Sequence, residues 1–151
     1  MKCTHLLSWA LVCYGALLPG GCATSSGGGG AVSGEDSVRA TLAQWESAME
    51  SQQVDAALAC YSTEFQSVEW GNHDGVRSAI EQARVVGYLD GMQIDVSAAQ
   101  VSCDNGLCRA APIRLSGSFG EDVLALTFKE ETGAARIVGS ERLDAAPVAA
   151  P

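Results

Sequence analysis

Histidine and basic residues are scarce in this chain of 151 residues, which has two histidines and nine lysines and arginines against eighteen acids. No uninterrupted apolar run reaches the ~20 residues that span a bilayer. Aromatic residues make up 6%. The acid excess opposes nucleic acid and anionic membrane surfaces as partners. His73 is the one histidine outside the first 21 residues. A zinc site therefore has too few ligands, and no Ser/His/Asp or Cys/His set stands at a defensible spacing. No metal or cofactor is expected.

The amino terminus differs in composition from the rest. Lys2 precedes an apolar run from Leu6 to Leu18, the length of a secretory signal core. The run ends Leu17-Leu18-Pro19-Gly20-Gly21-Cys22-Ala23-Thr24-Ser25-Ser26. This stretch resembles the lipobox of bacterial lipoproteins, although Pro19 stands three before the cysteine and the leucine lies one place further back. The resemblance implies cleavage after Gly21, lipidation of Cys22, and export to the bacterial envelope on the outer membrane, facing the periplasm. An ordinary signal peptide is the alternative, but no Ala-x-Ala site precedes Cys22. Residues 22–34, with Gly27 to Gly30 consecutive, are expected to be a Ser/Gly-rich tether. Removal of residues 1–21 takes Lys2 and no acid, leaving eight basic and eighteen acidic residues and a net charge of −10.

A folded domain is expected over 35–143, with a disordered tail over 144–151. The first helix should run from Glu35 to Ser51, since Val38, Leu42, Trp45 and Met49 fall on one stripe behind an acidic first turn. A short second helix is expected from Val54 to Tyr61. A third should start near Asp74 and carry Val76, Ile80 and Ala83. Glu64 to Trp70 is expected to include a short strand.

From Gly91 to Leu143, three Gly-containing turns separate four strand-like runs. Asn105-Gly106 supplies the positive φ angles of a tight two-residue hairpin. That turn sets Asp104 against Leu107, Cys103 against Cys108, Ala98 against Ile113 and Val96 against Leu115. Ile94, Val96 and Ala98 then share an inward face with Ala111, Ile113 and Leu115. The pairing also predicts a Cys103–Cys108 disulfide. Leu124, Leu126, Phe128 and Ile137 continue the inward face, with Arg136 and Arg142 outside as solvated charges. Cys60 is left over and is expected to be a buried, inert filler.

Three helices followed by a long curved antiparallel sheet is the element order of the nuclear transport factor 2-like (NTF2-like) superfamily and its SnoaL-like branch. Trp45 to Met49, Tyr61-Ser62-Thr63-Glu64-Phe65, Gly71 to Ile80, and Leu126 to Gly133 with Arg136-Ile137-Val138 are similar to stretches of that family. Ala135 stands where many members carry Trp. The resemblance implies an α+β cone in which helices close a bent sheet around a cavity. It also implies enzymes (isomerases, cyclases, dehydratases), non-enzymatic binding modules and frequent dimers.

Such enzymes use pocket carboxylates and Tyr. Tyr61, Glu69, His73, Tyr88, Asp90 and Asp95 are the residues near the expected rims, with Tyr61, His73 and Asp90 the candidates for catalysis. Asp95 points outward, and the inner rows hold no acid before Glu141. The leading expectation is therefore binding of a small apolar ligand or a protein partner without turnover. Trp45, Tyr61, Trp70 and Tyr88 are the ligand-binding candidates. The alternatives are a SnoaL-like isomerase, cyclase or hydrolase, and a homodimer assembled through Val101, Ala110, Pro112 and Val123 on the outer face.

Overall fold

The structure is a computed structural model and describes residues 34–143. The expected signal, Cys22, nearly all of the tether, and the tail over 144–151 lie outside the described residues. The chain folds as α1 (Gly34–Glu50), α2 (Val54–Leu58), β1 (Tyr61–Ser67), β2 (Gly71–Asn72), α3 (His73–Val85), β3 (Gln93–Asp95), β4 (Gln100–Asp104), β5 (Leu107–Gly117), β6 (Gly120–Glu131) and β7 (Ala134–Arg142). No helix among the described residues is long and apolar enough to cross a membrane.

α1 buries the stripe its spacing predicts, with Val38, Leu42, Trp45 and Met49 against the sheet. Glu35 and Asp36 sit in its first turn, where the helix dipole favours negative charge. Two hydroxyls stitch the helix to β7. Ser37 Oγ accepts from Ala135 N at 2.8 Å, and Thr41 Oγ1 donates to Ala135 O at 2.9 Å. α3 starts behind Asn72, whose side chain accepts from Gly75 N at 3.0 Å as an N-cap.

The sheet has seven strands in the order β2-β1-β7-β6-β5-β3, with β4 also paired to β5. Beside the strands expected after Gly91 it takes in β1, where a short strand is expected, and the two-residue β2. Tyr61 leaves α2 and opens β1, which runs parallel to β7 with Tyr61 opposite Ile137. The second helix therefore stops at Leu58. Ile137 N donates to Cys60 O at 2.9 Å, so strand pairing takes the backbone group that another helical turn would need.

The Asn105-Gly106 hairpin has both central φ angles positive and places Cys103 against Cys108 and Asp104 against Leu107, as the sequence predicts. The two cysteines form the disulfide. Further along the strand the register moves by two, so that Ile94, not Val96, faces Leu115. Ala98 has no partner in β5 and is exposed, while Ala99 is buried in its place. The cause is local. Asp95 Oδ1 accepts from Ser97 N at 2.9 Å and Ser97 Oγ at 2.6 Å, a turn that competes with the ladder and separates β3 from β4. A shift of two preserves the face, and Ile94 still points inward.

Two bulges reverse faces where simple alternation fails. In β5, Ala110 pairs with Leu126 and Ile113 with Leu124, so Ala111 and Pro112 together oppose Ala125. Pro112 has no N–H to give the ladder. Ala110 is thus fully buried in the core, not on the outer face, and the expected dimer surface keeps only the half-buried Val101, Pro112 and Val123. In β7, Ile137 pairs with Phe128 and Gly139 with Thr127, leaving Val138 as the extra residue. Beyond it Ser140 and Arg142 stand opposite Leu126 and Leu124, on the inner face. Arg142 remains solvated but stands on the inner side of the strand, not on the outer face that unbroken alternation implies.

Candidate functional site

α1 and α3 lean over the inner face of the sheet and leave a cavity of about 310 Å³ between them. Trp45 and Met49 come from α1, Val76, Ile80 and Ala83 from α3, and Leu115 and Leu124 from the sheet. Trp70, Tyr88 and Phe119 form an exposed aromatic rim, 42%, 53% and 40% exposed. The four expected ligand-binding residues, Trp45, Tyr61, Trp70 and Tyr88, thus line one cavity although they lie on two elements and two loops.

Tyr61 carries the inner polar atom. Its hydroxyl accepts a hydrogen bond from Trp45 Nε1 at 3.1 Å, and its ring meets Phe65 edge-on with centroids 5.2 Å apart. Burial pushes the phenol well above the ordinary tyrosine range, only partly offset by the Trp45 hydrogen bond. The group is a neutral donor at any physiological pH.

At the mouth stand three charges. Arg142 Nη2 lies 2.8 Å from Asp122 Oδ2 and 3.2 Å from Glu69 Oε1. Asp122 and Arg142 line the cavity, so an acid, Asp122, reaches its wall well before Glu141 in the chain. Glu141 itself is exposed and paired with Arg109 at 3.1 Å. Asp122 was legible in principle, two residues before Leu124 in the inward row. Arg142 was hidden by the β7 bulge.

The remaining catalytic candidates lie off this cavity. His73 begins α3, with Nδ1 4.0 Å from Asp74 Oδ1. Asp90 accepts from Gln52 Nε2 at 3.0 Å and so ties the loop after α3 to the turn after α1. Asp95 is exposed and held below the ordinary carboxylate range by its two hydrogen bonds from Ser97. It borders a neighbouring cleft of about 510 Å³ that also holds Glu50, Arg114 and Glu121 and shares Leu115 and Asp122 with the first cavity. There Glu50 is engaged by Ile94 N at 2.8 Å. Cys60 is fully buried and free, and burial raises its thiol although Arg136 nearby pulls the other way. A buried thiol held in its protonated form is a poor nucleophile.

A helix-roofed, curved antiparallel-rich sheet with an open inner face defines an NTF2-like, cystatin-like fold, and solved structures carry the same architecture. The chain is similar to an uncharacterized protein with a cystatin-like fold from Caulobacter vibrioides, at 14% identity over 76% of this chain and 91% of that one, with a TM-score of 0.62. An NTF2-like protein of unknown function from Pseudomonas putida matches at 12% identity over 72% and 84%, with a TM-score of 0.61. Bd1075 of Bdellovibrio bacteriovorus matches at 13% identity and a TM-score of 0.63 over 73% of this chain, which spans only 40% of that protein. No protein-family model and no curated protein matches the sequence. Identities this low establish the fold and leave function to be argued from the site.

Proposed function

We propose that the chain is an envelope-anchored lipoprotein whose domain holds a small apolar molecule in the cavity beneath α1 and α3, without turning it over. The observation that carries this reading is the lining of that cavity. Aliphatic and aromatic side chains from two helices and the sheet enclose about 310 Å³, with a few polar atoms at its ends. Small-molecule sites are commonly built this way, from apolar walls and a small number of placed polar groups. Two of the three catalytic candidates, His73 and Asp90, sit elsewhere, and the third, Tyr61, holds its proton too tightly to act as a base near neutrality. The lipobox-like run ending at Cys22 supports the anchor, and its short tether would keep the domain near the membrane.

The full chain carrying Cys22→Ser, titrated with the neutral probe N-phenylnaphthylamine, tests both parts. The substitution should move the protein from the membrane fraction to the soluble one. Probe fluorescence should rise to saturation at one site, and Ala83→Trp, which fills the cavity from α3, should abolish it. Persistent membrane association would remove the anchor. Binding indifferent to Ala83→Trp would remove the cavity as the site.

A further inference from the structure

We infer that the cavity selects uncharged molecules bearing a hydrogen-bond acceptor, such as a ketone or ester on an apolar frame, with the Tyr61 hydroxyl as the reading group, and that it discriminates against carboxylates. The inference rests on the binding role proposed above and adds the ligand's chemical class. Trp45 Nε1 occupies one lone pair of the Tyr61 oxygen from α1. Among the described residues the hydroxyl makes no other hydrogen bond, so its own proton is unspent. Trp45 is buried and Phe65 braces the phenol ring, so the donor is fixed in place before any ligand arrives. A fixed donor in an apolar wall favours a ligand that offers it an acceptor, because a buried polar group without a partner is costly. The preference is set from the protein's side.

Charge at the mouth decides the sign. One guanidinium faces two carboxylates, Asp122 at 2.8 Å and Glu69 at 3.2 Å, so Arg142 is already neutralised and the cluster keeps an excess negative charge. An incoming carboxylate would have to displace one of these ion pairs and then lie beside the other acid. A cation would gain from the acids but would find, at the inner end, a hydroxyl that presents its proton. A neutral acceptor meets neither obstacle.

Three naphthalenes of similar shape separate the terms in equilibrium dialysis against the full chain with Cys22→Ser: methyl naphthyl ketone, isopropylnaphthalene and naphthoate. The ketone should bind about tenfold more tightly than the hydrocarbon, the typical effect of one net hydrogen bond. Naphthoate should bind more weakly than the ketone by at least a similar factor. Tyr61→Phe should erase the ketone's advantage and leave the hydrocarbon within about twofold. A cooperative urea transition of unchanged slope for Tyr61→Phe separates donor loss from general damage. A ketone that binds no better than the hydrocarbon, or a naphthoate that binds best, overturns the inference while the cavity remains a binding site. No binding by any of the three overturns the binding role as well.

Discussion

Ala135 shows how a single small residue can be required by its neighbours. Both of its backbone polar groups are engaged by α1 hydroxyls, from Ser37 and Thr41, and its side chain is buried beneath that helix. The Trp that the family resemblance leads one to expect there would push α1 off the sheet. The departure is visible in the sequence, but its reason is not, because nothing in the order of residues brings Ser37 and Thr41 to β7. At the same scale, Tyr61 makes a prediction about alkaline stability. Its folded-state pKa lies above the unfolded value near 10. Its contribution is therefore complete below that pH and is lost as pH rises further, since the unfolded chain releases the proton first. Denaturant unfolding across that range should show stability falling with pH, and Tyr61→Phe should flatten the fall. An unchanged slope in the variant would mean that the phenol is not desolvated.

Elements were legible where local chemistry fixes them and misread where it bends them. Asn105-Gly106 determined its hairpin, and the stripes on α1 and α3 determined their buried faces. The bulges at Ala111-Pro112 and Val138 were not foreseen, because alternation is read on the assumption that each strand residue has one partner. One extra residue in β7 is enough to carry Arg142 from the outer face to the cavity mouth. The site was therefore half legible. Its aromatic residues follow from composition and turn positions, whereas its ion cluster depends on a register break.

The disulfide closes the hairpin and packs near the start of α1. A Cβ on Gly34 would lie 3.5 Å from Cys108 Sγ and 3.8 Å from Cys103 Sγ. With a sequence separation of 5, the loop-entropy argument gives roughly 2 kcal/mol. Cys103→Ser combined with Cys108→Ser should lower unfolding stability by about that amount in urea. No change would indicate that the tip is held by the ladder alone.

For the molecule as a whole, the sheet and its two covering helices make a container. Its deepest residues, Trp45, Phe65, Phe128, Ile113 and Leu126, form a dense core on one side of the cavity wall. The aromatic rim of Trp70, Tyr88 and Phe119 stays exposed on the other. An exposed aromatic rim of this kind carries a solvation cost that a bound molecule would relieve. The net charge of −10 outside residues 1–21 keeps such a surface soluble without drawing it to other polyanions.

A container of this kind should be filled when the protein is isolated, and native mass spectrometry of the full chain with Cys22→Ser, exported and purified without detergent, reads its contents. The protein ion should be heavier than the chain by the mass of one small neutral molecule, and should be the bare chain when Ala83→Trp closes the cavity. A bare chain from the unblocked protein, whether monomeric or dimeric, would contradict the binding role.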